Sequence, residues 1–251
     1  MKEVGQSVNL IHHFELRPIV ELNLFGIDFS ITQAVLWMWI GLCVVCALLM
    51  LVARTLKHHP MGIQNMVEMI LEFSMKELVL DVIGEEGRPW FPLIATLFLF
   101  IITVNFLGLI PGSFTATTNI NVTASLALLV FLVVQWAGVR RHGLAGYFKG
   151  LIPSGVPKWV LPIMLPIEVI GLFAKPFSLA VRLFANMLAG HMVILVFLTI
   201  IILFKSYLLA VLPVAGVVVI SGFEIFVSFI QAYIFATLTA SYISEAIHMA
   251  H

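Results

Sequence analysis

The 251-residue chain has 13 basic and 13 acidic residues, is 61% hydrophobic and only 10% charged. A soluble domain would carry about 25% charged residues, because most of a globular surface must be solvated. A mean hydropathy of +1.11 makes lipid the solvent, and zero formal net charge gives no reason to expect a nucleic-acid partner.

The first thirty residues are polar and mixed, with Glu3, Glu15, Glu21 and Asp28 and no apolar core of a signal peptide, so none is expected to be cleaved. A first span runs from about residue 31 to 52 and ends at Arg54, Lys57, His58 and His59. Cys43 and Cys46 lie one turn apart within it and read as packing residues. Over 62–83, Ile63, Met66, Val67, Ile70, Leu71, Leu78 and Val79 recur at helical spacing, interleaved with Glu68, Glu72, Lys76 and Asp81. That amphipathic pattern suits a helix lying on the membrane surface. Pro89 and Pro92 open a second span that closes at Pro111-Gly112, and a third runs from about 122 to 139, stopping at Arg140-Arg141-His142.

Basic residues set the expected orientation. Arg54 and Lys57, Arg88, and Arg140, Arg141, Lys149 and Lys158 all fall on one side if the N-terminus is outside and these loops are cytoplasmic or on the matrix side. From Leu161 to Ile247 the chain is almost wholly apolar, interrupted at Lys205-Ser206-Tyr207. Each arm is about twice the length needed to cross a 30 Å hydrocarbon layer, so two long tilted helices in a hairpin are expected. The chain then reads as a single all-α, polytopic membrane domain. An external segment (1–30) precedes three transmembrane helices and a surface helix (31–139), a cytoplasmic loop (140–158) and the hairpin (159–251).

Six charged residues interrupt the hairpin: Glu168, Lys175, Arg182, Lys205, Glu224 and Glu245, with Asn186, His191 and Gln231 as polar companions. A charge at membrane depth costs at least about 2.5–3.5 kcal/mol, so such residues are seldom decorative. Lys175 and Lys205 read as anchor or turn charges. A fold about 206–207 sets Glu168 opposite Glu245, Arg182 opposite Gln231, and His191 nearly opposite Glu224. Glu224 and Glu245 then lie at well-separated depths, the His191 level toward the outside and the Glu168 level toward the cytoplasm. Histidine titrates near neutral pH, and a carboxyl removed from water moves toward that range, so an imidazole–carboxyl pair can exchange protons. Arg182 stays protonated and cannot relay. It is a fixed charge between two half-paths, and a carboxylate to complement it must come from another subunit.

The run from Lys175 to His191, KPFSLAVRLFANMLAGH, resembles the signature of the a subunit (subunit 6) of F-type ATP synthases. QAYIFATLTASYI from Gln231 resembles its C-terminal signature, and NFLGLIP from Asn105 its earlier span. The resemblance covers about residues 30–250. It implies a non-catalytic stator subunit carrying proton half-channels to and from a ring of c subunits, alongside peripheral-stalk b subunits. Its setting would be a bacterial or mitochondrial inner membrane. By resemblance, Arg182 faces the ring, Asn186 and Gln231 are its polar neighbours, His191 and Glu224 belong to the entry channel, and Glu168 and Glu245 to the exit channel. Many bacterial members carry the His191/Glu224 pair exchanged, and either arrangement keeps one imidazole and one carboxyl at the same level.

No Walker motif, dinucleotide-binding glycine pattern or nucleophile elbow is present, so neither nucleotide binding nor a cofactor is expected. The paired histidines 12–13 and 58–59 are a weak metal signal, and no metal site is expected. Two other classes compete: a self-contained channel or secondary transporter, and a structural anchor. The transporter reading predicts internal repeats, which the sequence lacks; the anchor predicts that His191 and Glu224 are dispensable for proton flux.

Overall fold

The computed structural model describes residues 18–20, 23–24, 27–28, 30–54, 62–110, 113–150, 160–204 and 207–248. The histidines at 12, 13, 58 and 59 and the lysines at 57, 158 and 205 lie outside these residues. So do residues 205–206, where the turn between the two long C-terminal helices is expected.

Short antiparallel strands precede the first helix, β1 (Pro18–Val20) pairing with β4 (Ile31–Thr32) and β2 (Asn23–Leu24) with β3 (Ile27–Asp28). Among the described residues, everything after them is helix, turn or loop. Helix α1 (Gln33–Arg54) is followed by α2 (Ile63–Phe73), which passes directly into a π-helical stretch, Ser74–Leu80. A 3-10 turn (Glu85–Trp90) leads into α3 (Phe91–Gly108), and a second one (Ala116–Thr118) precedes α4 (Ile120–Gly150). The hairpin consists of α5 (Leu161–Phe204) and α6 (Tyr207–Ile247). Among the described residues, five helical stretches are long and apolar enough to cross a membrane: 33–54, 85–108, 120–147, 161–201 and 211–247. The protein is a polytopic, all-α membrane protein apart from the small N-terminal ladders.

Local chemistry fixes several boundaries. Pro92 opens α3 at a position where a missing N–H costs nothing. The Asn119 side chain accepts from the Asn121 N–H at 2.9 Å, capping α4. Gly143, at φ 71°, interrupts α4 with a backbone conformation that side-chain-bearing residues rarely adopt. The helix resumes beyond it through Gly150, so the loop expected over 140–158 starts as helix. There Tyr147 turns back on Gly138, where a Cβ would overlap the ring, and its hydroxyl donates to Gln135 Oε1 at 2.6 Å.

The surface helix expected over 62–83 comprises α2 and the π stretch, and its two sides differ. Val67, Leu78 and Val79 are buried, while Ile63, Met66 and Met69 are exposed beside the exposed Glu72–Lys76 pair.

The core lies where α3, α4, α5 and α6 meet, with Ala127, Val130 and Ala137 contributed by α4. Phe98, Ile94 and Ile101 of α3 pack with Leu179 and Leu183 of α5 and Phe235 of α6. Ala232, Ala236 and Ala240, all 0% exposed, recur one turn apart on α6 and let neighbouring helices approach closely. In lipid this packing, rather than a hydrophobic effect, holds helices together. Ala236→Leu should therefore destabilise the subunit by about 1–3 kcal/mol through overpacking, measured as a fall in detergent-resistant complex on native gels.

Three threonine hydroxyls in the long helices bond backward. Thr199, Thr237 and Thr239 each donate to the carbonyl four residues earlier at 2.8 Å, so none needs water. At one end of the molecule Arg141 donates to Glu86 at 3.0 Å, His248 lies 3.8 Å from the same carboxylate, and His142 contacts the Ile247 carbonyl at 3.2 Å. Residues before α3, at the α4 break and after α6 thus gather together. Trp90 and Trp136 meet edge to face near this end, with Arg140 over the Trp136 ring. Aromatic rings and cations of this kind are enriched at membrane interfaces.

Candidate functional site

The polar residues of the hairpin fall into three groups along the α5–α6 seam. Farthest from the end where Glu86, Arg141 and His248 gather, His191 Nδ1 lies 3.6 Å from Glu224 Oε1. Glu224 is 6% exposed, and its second carboxyl oxygen has no hydrogen-bond partner among the described residues. Ser228, one turn further along α6, has an equally buried and unpartnered hydroxyl. Gly190 makes the approach possible, because a Cβ there would overlap the Glu224 carboxyl group. Gly190→Ala should leave assembly on native gels unchanged, since a side-chain tip can shift for under about 1 kcal/mol. Proton flux should fall as the His191–Glu224 contact is pushed apart.

His191 is held from three other directions. Nδ1 is 3.1 Å from the Met187 carbonyl; Nε2 is 2.7 Å from Thr115 Oγ1 and 3.3 Å from the Gly108 carbonyl. Both nitrogens face a carbonyl, which can only accept; in the neutral ring the proton belongs on Nδ1, because Nε2 can instead accept from the Thr115 hydroxyl while Nδ1 has only an acceptor at hydrogen-bond distance.

In the middle of the seam, Asn186 Nδ2 donates to Gln231 Oε1 at 2.7 Å. Arg182 sits one turn before Asn186 on α5 and is exposed. Among the described residues no hydrogen bond or ion pair reaches its guanidinium. Arg182, Asn186, Gln231 and Glu224 line one groove of about 480 Å³, walled by Ile220 and Phe223. Around it the hairpin presents apolar side chains outward, including Phe177, Val181, Val193, Val219 and Phe226.

Toward the end that holds His248, Lys175 Nζ donates to Glu245 Oε2 at 2.6 Å and stands 5.4 Å from the Tyr242 ring centre. Glu168 and Glu245 line a cavity of about 380 Å³ together with Lys175, Gln135 and His248. With the two side chains 34% and 60% exposed, the Lys175–Glu245 pair contributes about 0–1 kcal/mol to stability.

The structure thus brings His191 to Glu224 and shifts the other expected levels. Gln231 bonds Asn186 rather than standing opposite Arg182, and Glu245 bonds Lys175 while sharing a cavity with Glu168. Equal spacing about a turn assumes that both helices advance in step. Here the successive partners run from 191 to 175 on α5 but from 224 to 245 on α6. The long Lys175 stem covers part of that difference. Lys175 therefore does more than anchor a helix end.

Sequence reasoning missed Thr115, Gly108, Gly190 and Ser228. Gly190, adjacent to a histidine in an otherwise bulky apolar helix, carried a usable signal of close approach. Thr115 carried none, being one of several threonines in a loop. Among the described residues no three His, Cys, Asp or Glu side chains are grouped closely enough to hold a metal ion.

The sequence has counterparts among known proteins. The sequence profile of the ATP synthase A chain family matches residues 35–244. The chain belongs to that family. ATP synthase subunit a of Magnetococcus marinus is 42% identical over 249 residues, covering 95% of this chain and 93% of that protein. ATP synthase subunit a of Rubrobacter xylanophilus is 43% identical over 91% of this chain and 88% of its own length. ATP synthase subunit a of Mesorhizobium japonicum is 39% identical over 98% and 99%, respectively. An F-type ATP synthase a subunit is an integral, multi-pass membrane subunit concerned with proton transport and ATP synthesis, in keeping with five membrane-length helices.

Proposed function

We propose that this subunit is a non-catalytic stator component that carries protons along two half-paths to and from a rotating ring of c subunits. The supporting observation is the position of Arg182: exposed, without an ion partner among the described residues, and set between two polar clusters on one helix. Glu168 and His191 are 23 positions apart, roughly 35 Å along α5, with Arg182 between them. His191 and Glu224 form the outer half-path, with Asn186 and Gln231 at its inner end, and Glu168 and Glu245 the cytoplasmic one. Protons passing between the halves travel on the ring carboxylates, because guanidinium does not give up its proton.

The same reading sets the remaining partners and the orientation. Peripheral-stalk b subunits hold the chain against the ring, and no nucleotide binds here. The end that gathers Glu86, Arg141 and His248 is cytoplasmic or on the matrix side, as its cations require, which places the N-terminus outside. One elementary charge moving through 100 mV releases about 2.3 kcal/mol, so several protons must pass for each costly synthesis event.

Disulfide trapping tests the ring-facing surface. With Cys43 and Cys46 replaced by Ser, Phe223→Cys on the groove wall should cross-link to a cysteine scanned along the outer ring helix. Leu42→Cys, exposed on α1, should not. The reverse pattern places the ring elsewhere.

A further inference from the structure

The outer pair receives a neutral hydroxyl from outside the hairpin. Thr115 lies in the loop between α3 and α4, is 2% exposed, and places Oγ1 2.7 Å from His191 Nε2. Its position is built rather than incidental. Thr118 donates to the Thr115 carbonyl at 2.7 Å, and Thr117 donates to Asn105 Oδ1 of α3 at 2.7 Å, fixing the loop to that helix. Gly108 leaves the space that Thr115 fills, since a Cβ there would overlap the threonine side chain.

We infer that the Thr115 hydroxyl is the group through which His191 takes up its proton in the outer half-path. The inference rests on the proton-path reading of His191. With Nδ1–H directed at the Met187 carbonyl, Nε2 of the neutral ring is an acceptor, and the Thr115 O–H donates to it. In uptake the Thr115 O–H bond breaks as a bond from that hydrogen to Nε2 forms. Threonine oxygen simultaneously takes a proton from a hydrated proton on its far side, so the hydroxyl is regenerated and one positive charge arrives on the imidazole. The resulting Nε2–H has the Gly108 carbonyl, 3.3 Å away, as an acceptor. Both protonation states therefore find partners. Among the described residues Glu224 of α6 is the charged group facing the ring, while α3 and the Thr115 loop contribute neutral groups.

Thr115→Val keeps the shape and removes the hydroxyl; Thr115→Ser keeps the hydroxyl. In membrane vesicles containing the assembled complex, Thr115→Val should lower proton-driven ATP synthesis about tenfold, the scale of one lost hydrogen bond. It should also shift the dependence on external pH, with assembly unchanged on native gels. Thr115→Ser should keep at least half the wild-type rate and the wild-type profile. Thr115→Val with the wild-type rate and profile overturns the inference, as does Thr115→Ser impaired as deeply as Val, which makes loop shape the cause. His191→Ala run alongside separates the two claims. If it leaves flux unchanged, the proton-path reading of His191 fails; if it abolishes flux while Thr115→Val does not, only the role of Thr115 fails.

Discussion

Arg182→Ala should abolish coupled ATP synthesis while leaving the subunit folded and assembled. The side chain makes no hydrogen bond or ion pair among the described residues and points away from the packed core, so its loss removes little that holds α5 in place. It does remove the fixed charge opposed to a ring carboxylate. At 4 Å and an effective dielectric near 20, that attraction is about 4 kcal/mol, roughly a thousandfold in an equilibrium. Without it, the carboxylate passing the seam loses the partner that favours its ionised form, and the barrier to direct crossing of a proton falls. Arg182→Lys should fail as well. An ammonium can lose its proton in a low-dielectric site and cannot present the same planar fork of donors. Proton-driven synthesis and ATP-driven pumping in inverted vesicles are the measurements. Preserved pumping in Arg182→Ala would remove the basis for its assigned role.

The second large effect concerns the outer pair. His191→Ala or Glu224→Gln should lower proton flux by about two orders of magnitude, the low end of what a positioned acid or base supplies. The double exchange, His191→Glu with Glu224→His, should recover flux to within about tenfold of wild type. The exchange keeps one imidazole and one carboxyl on the same level of the seam, and Thr115 can donate to either group at position 191. Gly190 leaves room beside position 224, so a ring there meets no side chain from its neighbour on α5. A double exchange no better than the worse single variant would mean that the pair acts through individual contacts rather than as an exchangeable relay. If instead both single variants conduct normally, His191 and Glu224 form a structural contact and the anchor reading gains.

The architecture was legible because its causes are compositional. Runs such as Ile31 to Val52 and Leu161 to Ile247 hold too few charges to be anything but lipid-facing helix, and Lys205-Ser206-Tyr207 marks the one place where the long run can turn. The helical stretch past Gly143 was not legible, because Arg140-Arg141-His142 followed by glycines looks like a loop from composition alone. What decides otherwise is tertiary: Tyr147 fits the notch at Gly138 and bonds Gln135.

The site shows the same division. His191 and Glu224 lie close to the hairpin turn, where counting from it accumulates little error, and they meet. Toward the other end the count drifts, so Gln231 finds Asn186 and Glu245 finds Lys175. Thr115 reaches His191 across a sequence separation of 76, and nothing in a single sequence encodes that contact.

On the proposed reading, Arg182 faces the ring and separates two half-paths that the ring alone connects. A structure of the assembled complex with its ring measures this most directly, through the distance from the Arg182 guanidinium to the nearest ring carboxylate. The expected separation is about 4 Å or one bridging water at the closest rotary position, with the Glu224 and Glu245 clusters opening to opposite faces of the membrane. An Arg182 separated from every ring carboxylate by lipid, with the ring seated against another helix, would contradict it.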